Sequence, residues 1–240
     1  MKIGIVVTMH HSDKNRPYGK DLIDKFIETL YHSMQSSFNL YIVDNQSDEK
    51  YNLETSDNSV WYHYVENQFE EGLTGAWNIG INKAVLDGCD IIINSNDDIE
   101  FNETINSFVK IINEHQHRDI SFFGPVSDGM LPNAYPSQLR TNPVPGVEEL
   151  SGVSWNSILN GFFFGFTKEF YKKFKSSDDN LFVQEHIHNT GDGKWGGQEG
   201  IQMIWKENGA KLYVVGDCWI KHHKYRDWKK AKQLDIEDDK

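Results

Sequence analysis

Residues Ile91 to Phe101 read IIINSNDDIEF. A run of isoleucines is the core of a strand buried on both faces, the pattern of a parallel sheet covered by helices. The run then turns polar and ends in adjacent aspartates, Asp97 and Asp98. Like charges side by side repel and gain nothing from burial, so something positive must compensate them. A surface turn facing water, a helix N-terminus and a metal ion are the candidates.

The flanking sequence repeats this rhythm. IGIVVT (Ile3–Thr8) is a second apolar run, followed by Leu22, Ile23, Phe26, Ile27 and Leu30 at helical spacing over Asp21–Met34. LYIVDNQS (Leu40–Ser47) and VWYHYVEN (Val60–Asn67) read as further strands. TGAWNIGINKAVLDG (Thr74–Gly88) reads as a helix with Thr74 as N-cap and Gly88 as stop, and Thr104–His115 as another helix. This β-α-β-β-α-β order predicts an α/β fold, an open, mainly parallel twisted sheet flanked by helices. Ligands of such sheets bind beyond the carboxyl ends of the strands. Thr8–His10, Asp44–Gln46 and Asn94–Asp98 all fall there, so three separate segments converge on one cleft.

The second half differs. Asp128–Leu150 holds four of the six prolines and reads as a long loop. SILNGFFFGFTKEFYKKF reads as a strand with a helix from Thr167, and a Gly- and His-rich loop (Ser176–Gly197) precedes a helix from about Gln198 to Asn208. The strand KLYVVGD and a charged tail follow.

A chain of 240 residues can bury one sizeable core. Its net charge of −12 argues against general nucleic-acid binding. The two cysteines, far apart, form no disulfide framework and fit a reducing compartment. Met1 leads directly into KIGIVVT, too short for a signal-peptide core, and no apolar run reaches membrane-spanning length. A cytoplasmic location is the expectation.

The order VVT … YIVDNQS … GLTGAWNIGINKA … NSNDDIEF … GFFFGFTKEFYKKF … KWGGQEGIQM … WIKHH resembles the family 2-type glycosyltransferases of the GT-A fold, from Ile3 to about His223. The resemblance implies a Rossmann-like nucleotide-sugar-binding half (1–101), an acceptor-binding half (102–226) within the same domain, and a charged tail (227–240). It assigns the nucleotide to Thr8, Asp44, Asn45, Trp77, Asn78 and Asp97; His10, from its place after the first strand, reads either as lining the same pocket or as part of a surface pair with His11. Asp98 takes the position of the strongest metal ligand, completed by His222 in preference to its neighbour His223, with Mn²⁺ or Mg²⁺ as the cofactor. The chain departs from the family's Asp-x-Asp at Asn96, a neutral oxygen donor. Gly161, Phe162, Trp195, Gly197 and Gln198 would border the acceptor or its sugar, and Glu199 would be the general base.

The implied activity is metal-dependent transfer of a sugar, with inversion, from a nucleotide diphosphate donor (a UDP-sugar) to a hydroxyl of a glycan or other acceptor, within glycan or polysaccharide biosynthesis. Two other classes stay open: a sugar nucleotidyltransferase, which would release pyrophosphate, and a non-catalytic carbohydrate-binding protein.

Overall fold

The computed structural model describes residues 1–14, 16–53, 57–66, 72–129, 135–152, 157–183 and 197–223, with residues 197–199 described by backbone alone. The first half contains β1 (Ile3–Met9), α1 (Gly19–Ser33), β2 (Asn39–Asp44), β3 (Val60–Tyr64), α2 (Leu73–Leu86), β4 (Ile91–Asn96), β5 (Ile99–Glu100) and α3 (Ile105–His115). The second contains β6 (Ser121–Val126), β7 (Val147–Glu149), β8 (Phe163–Thr167), α4 (Lys168–Phe174), α5 (Gly197–Glu207), β9 (Lys211–Trp219) and β10 (Lys221–His222).

Eight strands form one sheet in the order β3-β2-β1-β4-β8-β6-β9-β7, and β10 with β5 makes a separate two-stranded ribbon. The pairs β1–β2, β1–β4, β2–β3 and β6–β9 are parallel, whereas β4–β8, β6–β8 and β7–β9 are antiparallel. The expected parallel half is therefore β3-β2-β1-β4. Its sheet continues directly into the second half through β8, so strands from both halves share one core.

Side-chain alternation along the strands explains the two helical layers. Ile3, Ile5, Val7 and Met9 of β1 pack with Ile23, Phe26 and Leu30 of α1 and with Ile105, Phe108 and Ile112 of α3. Val6 faces the other way, into a core shared with Trp77 and Ile81 of α2, Phe170 of α4 and Trp205 of α5. Helix α2 approaches β1 closely because it presents Gly80, where an added Cβ would lie 2.3 Å from Cγ1 of Val6.

Two local expectations need correction. The cap of α2 is Gly72, at φ +57°, and Thr74 lies inside the first turn. The proline-rich stretch does not stay irregular throughout: Val147–Glu149 pairs with β9 as an exposed edge strand. Thr104 precedes α3 without a capping hydrogen bond; its hydroxyl oxygen accepts instead from the N–H of Trp219 at 3.0 Å. Thr167 does cap α4, accepting from the N–H of Phe170 at 3.3 Å.

Candidate active site

Parallel pairing brings the carboxyl ends of β1, β2 and β4 to one edge. Thr8 stands beside Asn96 on β4 and beside Val43 on β2, and Met9 stands beside Asp44. Thr8 and Asn45 are buried there, and Thr8 Oγ1, Asn45 Oδ1 and Asn96 Oδ1 have no protein partner. Buried polar atoms without partners are costly in an apolar interior, so such a group marks a place where a ligand or water is accommodated. His10 continues the rim, its Nδ1 3.0 Å from the carbonyl oxygen of Asn45.

The adjacent aspartates are compensated separately. Asp97 is buried, and Arg16 grips it with two prongs, Nη1 to Oδ2 at 2.6 Å and Nη2 to Oδ1 at 2.5 Å. One N–H on each oxygen is the fork geometry that guanidinium and carboxylate share. Burial pushes the Asp97 carboxyl up, against the downward pull of Arg16, and the charge of Asp98 adds to the rise. Asp98 has its Oδ2 3.4 Å from Nε2 of His222, while its Oδ1 has no partner. Burial raises the Asp98 carboxyl, but His222 and Arg16 outweigh it and hold this group below the ordinary carboxylate range.

The β5–β10 ribbon makes the Asp98–His222 approach. Its register sets Lys221 opposite Glu100 and His222 opposite Ile99, and the N–H of His223 donates to the carbonyl of Asp98 at 2.8 Å. The two histidines consequently go to different carboxylates. Nε2 of His223 lies 2.5 Å from Oε1 of Glu100, whereas His222 stacks on Phe162 with ring centroids 4.5 Å apart.

Other expected residues are differently engaged. Asp44 is fully buried and accepts from the N–H groups of Ser47 and Tyr51 at 3.0 and 3.1 Å and from the hydroxyl of Tyr62 at 2.8 Å. Its carboxylate therefore braces the β2–β3 end from within. Trp77, expected at the nucleotide, packs in the core, edge-on to Phe164 and Phe182, and is 1% exposed. Asn78 also faces inward: it donates to the carbonyl of Phe182 at 2.7 Å and accepts from the N–H groups of Leu181 and Phe182. Both are buried residues of α2.

On the acceptor side, Gly161 and Phe162 are buried, and the carbonyl of Phe162 accepts from the N–H of Asn96 at 2.9 Å. Gln202 of α5 pairs with both backbone groups of Leu159 at 2.8 Å, and Gln138 accepts from the N–H of Asn160 at 2.8 Å. Gln202 thereby ties the segment before β8 to the helix whose first turn carries Gly197, Gln198 and Glu199, and Gln138 ties it to the carbonyl of Pro125 in β6. Trp195 lies outside the described residues, as do Lys224 and the rest of the basic tail.

Arg16, Gln138 and Gln202 were invisible as site residues in the sequence. Each is polar and partly or wholly buried, a combination that only tertiary contacts disclose. The nearest sequence signal was the unexplained Asp-Asp pair, which demanded a cation without naming it.

No curated protein sequence matches the chain. Among solved structures, GalNAc-T7 with UDP, GalNAc and Mn²⁺ is similar at 14% identity and a TM-score of 0.63, over 95% of this chain and 45% of that one. S. aureus TarS 1–349 is similar at 14% identity and a TM-score of 0.58, over 98% of this chain and 64% of that one. The same TarS fragment in complex with UDP-GlcNAc superposes at 12% identity with a TM-score of 0.53, over 93% of this chain and 59% of that one. The chain thus spans less than two-thirds of the length of each, and identities this low establish the shared GT-A fold. Glycosyl transferase family 2 matches residues 5–191 of the 240, more than half of the chain. The protein belongs to glycosyl transferase family 2.

Proposed function

We propose that the protein is a metal-dependent glycosyltransferase that moves a sugar from a nucleoside diphosphate donor to an acceptor hydroxyl with inversion. The observation that carries this reading is Asp98, half-buried and held ionised beside His222 with one oxygen unpartnered, at the ligand-binding edge of a family 2 sheet.

The donor atoms suit Mn²⁺ or Mg²⁺. Asp98 Oδ1, Asn96 Oδ1 and His222 Nδ1 are buried oxygen or imidazole donors without protein partners. Among the described residues no cluster of three or more His, Cys, Asp or Glu side chains is available. Such a cation would therefore rely on one or two protein groups and on phosphate oxygens. Bound there, it would neutralise the departing diphosphate.

The protein's own groups would do the rest. Thr8, His10 and Asn45 line the nucleotide side, and Gly161, Phe162, Trp195, Gly197 and Gln198 the acceptor side. Glu199, in the first turn of α5, takes the acceptor proton as that oxygen bonds to the anomeric carbon. The bond from the anomeric carbon to the diphosphate breaks with its electron pair going to phosphate, and inversion follows from this single in-line displacement. UDP as the nucleotide draws support from the UDP-bound neighbours. One domain over 1–226 with a tail at 227–240, and a cytoplasmic location, belong to the same proposal. The two free, buried cysteines and the lack of any membrane-spanning helix among the described residues agree with that location.

The test is incubation with UDP-sugars, Mn²⁺ and a panel of glycan acceptors, following UDP release. The E199Q variant is expected to bind UDP and transfer nothing; near-normal transfer by it overturns the base assignment. Release of pyrophosphate identifies a nucleotidyltransferase, and absence of any nucleotide binding identifies a carbohydrate-binding protein.

A further inference from the structure

Asp97 and Asp98 are neighbours in sequence, yet their surroundings differ in kind. The Asp97 side chain is 3% exposed, and both of its oxygens are taken by Arg16. Asp98 offers an unpartnered Oδ1, and its other oxygen faces His222. Arg16 is itself tightly held. Its Nη1 also donates to the carbonyl of His10 at 2.6 Å. Its backbone closes a short turn with Ser12, with N–H···O contacts of 2.8 and 3.2 Å in the two directions. The start of α1 then packs against that turn: a Cβ on Gly19 would lie 2.2 Å from the carbonyl oxygen of His10.

The guanidinium thus joins two strand ends directly and a third through His10. It touches His10 after β1 and Asp97 after β4, and the ring of His10 reaches the carbonyl of Asn45 after β2. A planar, permanently charged fork suits this position, because it can satisfy both carboxylate oxygens and a carbonyl at once, which an ammonium cannot do with the same geometry. With Asp97 neutralised internally, a single carboxylate of the pair faces the edge. Without Arg16, two adjacent carboxylates would repel each other, and Asp97 would turn to compete for any arriving cation.

We propose that Arg16 is a positioning residue, which holds Asp97 as an internal anchor so that Asp98 is the one aspartate of the pair that meets the cation and diphosphate. This inference rests on the nucleotide-sugar reading above. A pair that merely stabilised the fold would lower the melting temperature and leave the metal dependence of nucleotide binding unchanged. A positioning role predicts a selective loss that removing Asp97's charge repairs.

The experiment is calorimetry of UDP binding to the full chain, with and without Mn²⁺, on the wild type, R16M, R16K and R16M/D97N, with melting temperatures recorded in parallel. R16M is expected to weaken Mn²⁺-dependent UDP binding at least tenfold while changing Mn²⁺-free binding less than twofold. R16M/D97N is expected to recover most of that loss. R16K, which keeps the charge without the fork, is expected to fall between wild type and R16M, and it serves as the probe if R16M does not fold. Wild-type Mn²⁺–UDP affinity in folded R16M or R16K overturns the inference. So does a double variant no better than R16M, since Arg16 would then act on the ligand directly. A wild type without Mn²⁺-dependent UDP binding overturns the nucleotide-sugar reading and this inference together; wild-type binding with unaffected variants overturns the inference alone.

Discussion

Nε2 of His222 lies 3.4 Å from Oδ2 of Asp98, at the mouth of the parallel half of the sheet, while the adjacent His223 turns to Glu100. Two histidines with the same chemistry are separated by one strand register. The β5–β10 ribbon sets His222 opposite Ile99, which directs its ring onto Phe162 and toward Asp98.

The first prediction separates them. H222A should weaken Mn²⁺-dependent UDP binding by at least about tenfold, roughly 1.4 kcal/mol, with little change in melting. H223A should instead lower stability by about 1–3 kcal/mol through the lost contact with Glu100, with a smaller effect on UDP. Calorimetry and thermal melting of the two variants decide it; reversed effects would reassign the ligand. D98A should remove metal-dependent binding altogether.

Asn78 provides a second test. Its side-chain amide makes three contacts to the backbone of Leu181 and Phe182. N78A leaves those buried groups without partners and should cost about 1–3 kcal/mol in urea unfolding. UDP affinity should stay within about twofold, a difference below about 0.5 kcal/mol. A large loss of UDP affinity in a stably folded N78A would place this side chain back at the nucleotide.

At Gly80 the outcome depends on two opposing terms. Alanine favours a helix by ~1 kcal/mol over glycine. Its methyl would, however, lie 2.3 Å from Cγ1 of Val6, so β1 and α2 would have to separate. Overpacking of this kind costs ~1–3 kcal/mol, and G80A should be destabilised on balance. Chemical denaturation measures it, and an unchanged midpoint would contradict the close approach.

The alkaline limb of stability should depend on Tyr213. Burial, together with the hydroxyl's bond to Asp119 at 3.0 Å, pushes its phenol up to about 12. The fold therefore favours the neutral phenol. The associated stability is complete below the unfolded value of about 10 and is lost as pH rises from there toward about 12. Y213F cannot ionise, so its unfolding midpoint should fall less steeply over that interval than the wild type's. Parallel slopes would mean that Tyr213 contributes nothing to the alkaline loss.

Much of the fold is legible in the chain itself. IGIVVT and IIIN are apolar on both faces, and a strand of that kind fits only between two helical layers. The helices α1 and α3 announce themselves by periodicity, and Thr167 by its place before an apolar helical face. The cap at Gly72 and the edge strand at Val147–Glu149 are not legible. The first depends on one positive φ, and the second on an exposed segment held by backbone pairing, which leaves no hydrophobic pattern.

The candidate site divides along the same line. Local sequence determined that polar residues end the strands β1, β2 and β4, because an apolar run has to stop where the sheet meets its open edge. Tertiary structure alone decided what each does there. It gave Asp97 to Arg16, Asp98 to His222 and Asp44 to Tyr62 and two backbone N–H groups, and it turned Trp77 and Asn78 into the core. The physical reason is that a carboxylate, an amide or an indole has the same chemistry wherever it stands. Its role follows from the charges and donors that strand order and register bring beside it, and those come from distant parts of the chain.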